Sequence, residues 1–316
     1  MLLTALALAA ALPIATLPPI VPPEAIAIAP RPIRQPDLIG NLYLPDRTGR
    51  APAILLLGGS EGGLGQATAR EAAALAAHGY VVLQLSYFGS PGQPPALKSI
   101  PIETFTHALD WLKARPEVAA DRIGIIGTSK GAEAALLVAS RRPDLKIAVM
   151  AAPSSVVWPG IGGAEMVTES SWTEGGQPVP FTPYGWTGAW KGIHALYADG
   201  LADPAKGALG TIPVERSRAA IILVCGEADT LWPACPMAHA VEARLRQAQY
   251  RPGVTVLSYA DAGHFVFGTP VDTGSPDAAR LASLGGTTDG VIAARTDSWT
   301  KVLAALDRVL RPGEAR

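Results

Sequence analysis

The sequence predicts an α/β fold in which a mostly parallel, doubly wound sheet carries helices on both faces. Short apolar, β-branched runs alternate along the chain with Ala- and Leu-rich segments of helical periodicity. Several of these runs are continuously hydrophobic, as expected for parallel strands that are buried on both faces. A Gly-x-Ser-x-Gly pentapeptide at residues 127–131 stands between one such run and a helical segment. These three observations point to a sheet whose functional site lies beyond the carboxyl ends of its strands.

The composition is that of a globular protein with a large core. Of the 316 residues, 48% are hydrophobic and 17% are charged, which argues against disorder. A net charge of -1 gives no electrostatic reason to expect nucleic acid or an anionic membrane surface as a partner. His and Cys residues show no zinc-site spacing. We therefore expect a small-molecule substrate and neither a metal nor a cofactor.

The first 29 residues differ from the rest of the chain. Residues 2–23 contain no charged side chain, and residues 2–12 are almost all Leu and Ala, which is typical of the apolar part of a secretory signal. Five prolines within residues 13–23 argue against a membrane-spanning helix. We predict a signal peptide or disordered segment over 1–29 and a single domain over 30–316. The predicted location is periplasmic or secreted, with the cytoplasm as the alternative.

Each element of the predicted sheet rests on a local pattern. Strands are predicted at the apolar runs 37–44, 53–57, 81–85, 122–126, 147–151, 220–225 and 255–259. Helices are predicted at the periodic segments 67–78, 102–115, 130–141, 237–249 and 296–310.

Residues 154–213 interrupt this alternation. The segment is rich in Gly, Pro and Ser and contains four tryptophans, at positions 158, 172, 186 and 190. A structureless loop of this length is uncommon in a compact domain. We predict a lid over the site; the alternative is a surface excursion whose tryptophans pack on the body of the domain.

The pentapeptide makes Ser129 the candidate nucleophile. In a tight strand-to-helix turn the serine takes a strained backbone conformation, and the flanking glycines allow neighbouring elements to approach. The turn exposes the hydroxyl at a helix N-terminus, which favours developing negative charge. In α/β-hydrolases, whose nucleophile lies in such a turn, the acid and then the histidine follow the serine along the chain.

His264 is the candidate general base, because it lies in a glycine-containing loop just after the predicted strand 255–259. His239 also follows Ser129, but it lies on a helical pattern that we expect to face solvent. His194 falls inside residues 154–213 and precedes any acid candidate.

Asp229 is the candidate acid, because it follows the predicted strand 220–225 in a turn. Its carboxylate would orient the histidine and stabilise the cationic form of that ring. Glu227 and Asp261 are the rival carboxylates. A structural role as a helix cap near residues 233–237 is the alternative for Asp229.

The oxyanion hole needs two backbone N–H groups. One is expected from Lys130, the residue after the nucleophile, and the other from the glycine-rich loop 58–63. Ser60 is the first choice in that loop and Glu61 the second. The loop lacks the Gly-Lys-Ser/Thr ending of a phosphate-binding loop.

Two further features leave alternatives open. The Lys130 side chain opposes the helix dipole, so we expect a compensating ion pair with Glu133 or Glu61, with contact to an anionic substrate as the alternative. The chain's two cysteines, Cys225 and Cys235, either form a disulfide that closes a short loop or leave Cys225 as a buried thiol.

Longer motifs resemble one known family. They include Ser-Lys-Gly-Ala-Glu at 129–133, Gly-Glu-Ala-Asp-Thr-Leu-Trp-Pro at 226–233 and Ala-Gly-His at 262–264, and the matches run from about residue 40 to 310. The pattern is similar to the C-terminal catalytic domain of the acyl-CoA thioesterase and bile acid-CoA:amino acid N-acyltransferase family. The resemblance implies an α/β-hydrolase fold and the triad Ser129, Asp229 and His264.

The same resemblance frames the expected reaction. It implies a serine hydrolase that cleaves an acyl ester or thioester through an acyl-enzyme. Serine in place of the cysteine of the amide-forming branch favours transfer to water over transfer to an amino acid. The alternatives are a carboxylesterase of the dienelactone hydrolase type, an acyl-CoA:amino acid N-acyltransferase and a non-catalytic binding module.

Overall fold

A computed structural model describes residues 28–162 and 167–312 of the chain. Within these residues, eight strands form one sheet: β1 (Arg31–Gln35), β2 (Leu38–Tyr43), β3 (Ala51–Leu57), β4 (Val81–Ser86), β6 (Val118–Thr128), β7 (Ile147–Ala151), β10 (Ala220–Gly226) and β11 (Val254–Tyr259). Three short strands form a second sheet: β5 (Ile100–Pro101), β8 (Trp172–Glu174) and β9 (Gln177–Pro178). The α-helices are α1 (Gln66–Ala77), α2 (Glu103–Lys113), α3 (Lys130–Ala139), α4 (Ile193–Ala202), α5 (Pro204–Gly207), α6 (Ala234–Gln247), α7 (Pro276–Leu281) and α8 (Thr288–Leu310).

The large sheet has the strand order β1-β2-β4-β3-β6-β7-β10-β11. Strand β2 runs antiparallel to both of its neighbours, and the six strands β4, β3, β6, β7, β10 and β11 are parallel to one another. This arrangement confirms the predicted α/β fold with a mostly parallel sheet. Because parallel strands end at the same edge, the loops after β3, β4, β6, β7, β10 and β11 meet there.

The core consists of two apolar layers, one on each face of the large sheet. Along β3, Leu55 and Leu57 belong to one layer while Ile54 and Leu56 belong to the other, so neighbouring side chains alternate between faces. Helices α2, α3 and α6 cover the first face, and α1 and α8 cover the second. Each fully buried Leu or Ile contributes roughly 1.5–3 kcal/mol. The continuous hydrophobic strands therefore fix the sheet between two helical layers.

Every predicted strand and helix has a counterpart, with boundaries that move by a few residues. The largest difference is at α8, predicted to begin at residue 296, which begins at Thr288. The side chain of Thr287 accepts a hydrogen bond from the N–H of Gly290 and thereby caps the earlier start. The sequence does not predict strand β1. Its side chains are mostly exposed at the sheet edge, so the strand has no apolar face that would mark it in the sequence.

The segment predicted as a lid, 154–213, carries β8, β9, α4 and α5, and residues 163–166 within it are outside the described part. Trp158 and Trp172 are buried, whereas Trp186 and Trp190 are exposed. We call residues 154–213 the insertion from here on. Its β8 pairs with β5, which precedes α2, so the insertion is joined to the body of the domain by backbone hydrogen bonds.

The signal or disordered segment predicted over residues 1–29 lies outside the described residues, except for residues 28 and 29. In the described part of the chain, every helix is too short or too polar to cross a bilayer.

Candidate active site

Ser129 lies in a sharp turn between the end of β6 and the start of α3. Its φ is 57° and its ψ is -121°, a strained conformation for a residue with a side chain. The Ser129 N–H donates to the carbonyl of Ala151 at 2.9 Å, which anchors the turn to β7. A Cβ at Gly131 would lie 2.2 Å from the carbonyl oxygen of Gly58, so only glycine allows the helix to approach this closely.

Asp229 and His264 come together at the ends of β10 and β11. Nδ1 of His264 lies 2.8 Å from Oδ2 of Asp229, and both side chains are buried. Because a carboxylate only accepts hydrogen bonds, this contact places a proton on Nδ1 and leaves Nε2 as the basic nitrogen. The other carboxylate oxygen, Oδ1, accepts from the N–H groups of Leu231 and Trp232 at 2.8 and 3.2 Å. Asp229 therefore caps the following turn and also holds the histidine.

The rival acid and base candidates lie elsewhere. Glu227 is exposed and accepts a hydrogen bond from the Ser258 hydroxyl at 2.7 Å. Asp261 is also exposed. His239 is exposed on α6 beside Glu242, as its helical pattern predicts. His194 lies on α4 in the insertion. Of the predicted alternatives, the structure brings only the pair Asp229 and His264 into buried contact among the described residues.

The Glu61 carboxylate lies against the glycines of loop 58–63, close enough to His264 to interact with its charge. Its carboxylate oxygens lie over Gly58 and Gly59, where added Cβ atoms would meet them at 2.8 Å, and a Cβ at Gly59 would also lie 3.1 Å from Cβ of Ser129. Although Glu61 is exposed as a residue, its carboxylate turns into the loop, and burial raises its pKa. Hydrogen bonds from its own N–H and that of Gly59, and the charge of His264, act in the opposite direction.

Hydrogen bonds from Tyr87 hold the loop 58–63 in place. The Tyr87 hydroxyl donates to the carbonyl of Gly58 at 2.6 Å and contacts that of Gly59 at 3.1 Å. The N–H of Gly59 donates to Oε1 of Glu61 at 3.0 Å, and the Glu61 N–H bonds to the same carboxylate. These contacts engage the amides on either side of Ser60. The N–H of Glu61, the second choice for an oxyanion donor, is thus bound to its own carboxylate.

The Lys130 side chain turns away from solvent. Its Nζ lies 2.7 Å from Oε2 of Glu133, and both side chains are buried, at 1% and 0% exposure. Burial lowers the pKa of Lys130 and raises the pKa of Glu133, while each charge opposes the shift of the other. The predicted ion pair with Glu133 is therefore present, and Glu61 is engaged with the glycine loop instead. Contact between this ammonium group and an anionic substrate does not fit its burial.

Two residues that the sequence does not single out contact the histidine or the loop that follows it. The Trp232 ring packs edge-on against the His264 ring, with centroids 5.7 Å apart. Arg295 of α8 is buried and donates to the carbonyls of Phe265, Phe267 and Thr269 in the loop that follows the histidine. Trp232 belongs to the motif 226–233 and was within reach of the sequence, since it follows the acid by three residues. Arg295 lies 31 residues after the histidine on an ordinary helical pattern, and nothing local marks its role.

The two cysteines form a disulfide. Cys225 of β10 is bonded to Cys235 of α6, which joins the strand before the acid turn to the helix after it. Residues 28–162 and 167–312 show no group of three His, Cys, Asp or Glu side chains arranged to hold a metal ion.

Comparison with known sequences identifies related proteins. Residues 100–312 match the family described as BAAT / Acyl-CoA thioester hydrolase C terminal. Acyl-coenzyme A thioesterase 1 of Rattus norvegicus is 29% identical over 242 residues, which are 74% of this chain and 53% of that protein. Acyl-coenzyme A amino acid N-acyltransferase 1 of Mus musculus is 29% identical over 276 residues, 85% of this chain and 62% of that protein. The chain thus spans about half the length of the curated thioesterases it matches.

Comparison with solved structures supports the fold. A dienelactone hydrolase-like promiscuous phosphotriesterase from metagenomic libraries superposes with a TM-score of 0.55 and 16% identity, covering 90% of this chain and 99% of that one. The acylaminoacyl peptidase of Pyrococcus horikoshii gives a TM-score of 0.60 at 16% identity, with 92% and 43% covered. At such identities the likeness concerns the fold alone, which is that of the α/β-hydrolases.

Proposed function

The chain belongs to the BAAT / acyl-CoA thioester hydrolase C-terminal family, and on that premise we propose that it hydrolyses an acyl ester or thioester through an acyl-enzyme. One observation carries the proposal. A serine in a strained strand-to-helix turn, Ser129, shares the carboxyl edge of the sheet with a buried His264 whose Nδ1 is bound to Asp229. That arrangement supplies a nucleophile, a base and an orienting acid.

In the proposed reaction Oγ of Ser129 attacks the carbonyl carbon while Nε2 of His264 takes the hydroxyl proton. Asp229, already bound to Nδ1, stabilises the imidazolium that forms. The N–H groups of Lys130 and Ser60 stabilise the oxyanion of the tetrahedral intermediate. Collapse breaks the bond to the leaving oxygen or sulfur, which takes the proton from His264. His264 then removes a proton from water as the water oxygen attacks the acyl carbon. Collapse of this second intermediate breaks the bond to Oγ of Ser129, which takes the proton from His264 as the acid is released.

Replacement of Ser129 by alanine tests the assignment. We expect Ser129→Ala to lose both labelling by a fluorophosphonate probe and turnover of p-nitrophenyl esters and acyl-CoA, with the fold retained. Ser140→Ala is the matched control, because this serine ends the same helix and donates to the carbonyl of Leu137. Turnover in Ser129→Ala equal to that of Ser140→Ala would rule out the proposed nucleophile.

Transfer to an amine is the second candidate, because the relatives include an N-acyltransferase as well as thioesterases. Serine at position 129 favours water as the acceptor. The two reactions are separated by adding glycine to an acyl-CoA assay and measuring N-acylglycine by mass spectrometry. Free acid as the sole product supports hydrolysis, whereas glycine-dependent N-acylglycine supports transfer.

The leaving group depends on the compartment, and we propose export to the periplasm or beyond. The apolar character of residues 2–23 and the disulfide between Cys225 and Cys235 both support this location, because disulfides persist in oxidising compartments. An exported enzyme meets carboxylic esters more readily than acyl-CoA. N-terminal sequencing of the protein from a periplasmic fraction tests the proposal, and a full-length chain confined to the cytoplasm would contradict it.

A further inference from the structure

A single buried carboxylate joins the insertion to the nucleophile helix. Oε1 of Glu133 accepts a hydrogen bond from Nε1 of Trp172 at 2.6 Å and from the N–H of Trp158 at 3.2 Å. Its other oxygen, Oε2, accepts from Nζ of Lys130 at 2.7 Å. The ammonium group also lies over the ring of Trp172, 5.4 Å from its centroid. Two separate stretches of the insertion are thus bound to the first turn of α3, directly after Ser129.

The same insertion is connected to the histidine by a series of edge-to-face aromatic contacts. The Trp158 ring packs against Tyr197 of α4 at 4.9 Å between centroids, and Tyr197 packs against Trp232 at 5.5 Å. Trp232 in turn contacts the ring of His264 at 5.7 Å. All four rings are buried. The insertion therefore forms a continuous packed path from Glu133, beside the nucleophile, to the base.

Trp172 extends this path toward the glycine-rich loop 58–63. Its ring lies 6.0 Å from that of Tyr87, whose hydroxyl bonds to the carbonyls of Gly58 and Gly59. In a close-packed interior, a shift of one side chain displaces its neighbours, because there are few voids into which they can relax. Release of the two tryptophans from Glu133 would thus loosen contacts on both sides of the reacting serine.

We propose that Glu133 is a positioning residue: it clamps the insertion to α3, the helix that follows Ser129, and so holds Ser129 and His264 in their relative positions. The inference rests on the proposed function for its kinetic consequence, but the clamp itself is a structural claim about Trp172 and Trp158. The acceptor oxygen of Glu133 is the essential feature, and the charge of the carboxylate is balanced by Lys130.

Two double variants separate the acceptor from the charge. Lys130→Met/Glu133→Gln and Lys130→Met/Glu133→Leu both remove the ion pair, but only the first keeps a carbonyl oxygen for Trp172 and Trp158. We expect kcat of the Leu variant to be about 10²-fold below that of the Gln variant, with KM within about threefold, because misplacement of a reacting group by about 1 Å costs about 10²-fold. Amide hydrogen exchange in residues 167–178 should be faster in the Leu variant.

Two further variants keep the test decisive. Trp172→Phe removes the indole N–H and keeps a ring, so it should speed exchange in the same residues and lower kcat even if the Leu variant fails to fold. Glu174→Gln removes the charge of Glu174 on β8 from its ion pair with Arg141 at the surface and should change neither quantity. Equal kcat and equal exchange in the Gln and Leu variants, both folded, would overturn the clamp.

Failure of the proposed function gives a different result. If the unaltered protein is not labelled by a fluorophosphonate at Ser129, the hydrolase assignment is wrong. The hydrogen-exchange comparison does not depend on turnover, so it still decides the clamp: faster exchange in residues 167–178 of the Leu variant supports it, and unchanged exchange refutes it.

Discussion

Replacement of Glu71 by glutamine should stabilise the protein at alkaline pH but not at acidic pH. Glu71 lies on α1 and is buried, and its Oε2 has no hydrogen-bond partner among the described residues. Burial raises its pKa from 4.5 to about 7, although the charge of Arg295 favours the ionised form. The carboxyl group is therefore held in an environment that prefers it neutral. Glutamine has nearly the same shape and is neutral at every pH.

The magnitude follows from the two pKa values. A carboxyl that titrates near 4.5 in the unfolded chain and near 7 in the folded protein binds more protons when folded over that interval, so stability falls as pH rises between those values. At 1.36 kcal/mol per pH unit, the ionised Glu71 side chain costs about 3 kcal/mol of folding free energy above pH 7. Below pH 4.5 both states are protonated and the cost vanishes.

Urea unfolding at pH 5 and pH 8 measures the difference. We expect Glu71→Gln to match the unaltered protein within about 1 kcal/mol at pH 5 and to exceed it by about 3 kcal/mol at pH 8. Asp144→Asn is a control of opposite sign, because hydrogen bonds from Arg142 and Lys113 lower the pKa of Asp144, so its loss should destabilise at pH 8. A Glu71→Gln variant less stable than the unaltered protein at pH 8 would show that attraction to Arg295 outweighs burial.

Three further changes have defined outcomes. Asp229→Asn should lower kcat about 10⁴-fold in steady-state assays by removing the orienting carboxylate, and a loss below tenfold would argue against this acid. Gly131→Ala should lower kcat/KM about 10²-fold, because its Cβ would lie 2.2 Å from the Gly58 carbonyl oxygen and displace the glycine-rich loop 58–63. Unchanged kinetics in this variant would contradict that contact. Reduction of the disulfide between Cys225 and Cys235, ten residues apart, should lower the unfolding free energy in urea by about 3 kcal/mol, and an unchanged midpoint would refute it.

The large sheet was predictable because its strands carry their signal locally. Strand 147–151 is a run of buried apolar residues, and the structure reproduces its limits without change. Parallel strands need both faces covered, so hydrophobicity alone marks them. Strand β1 lies at the edge with exposed side chains, and its pairing with β2 is made by backbone groups that the side-chain pattern does not encode.

Position after a strand end predicts Asp229 and His264 as a pair, whereas nothing in the sequence predicts the long-range contacts of Glu133 and Arg295. Asp229 and His264 each follow a strand end, where topology places functional groups. Arg295 and Glu133 act through contacts made across long sequence separations, with the loop after His264 and with the insertion. Such contacts arise from packing of distant segments, so no local pattern predicts them. Glu133 was expected only as a partner for Lys130, and its hydrogen bonds to two tryptophans appear only in three dimensions.

The buried pair of Lys130 and Glu133 resolves an apparent electrostatic conflict. A cation in the first turn of a helix opposes the macrodipole. In the proposed reaction, an unpaired carboxylate at Glu133 would repel the oxyanion, because Glu133 lies in the first turn after Ser129 and buried charges interact strongly. With the ammonium nitrogen 2.7 Å away, the pair is nearly neutral as seen from Ser129. Under the proposed function, Lys130 thus allows Glu133 to bind the insertion without weakening the field that the helix N-terminus would provide at Ser129.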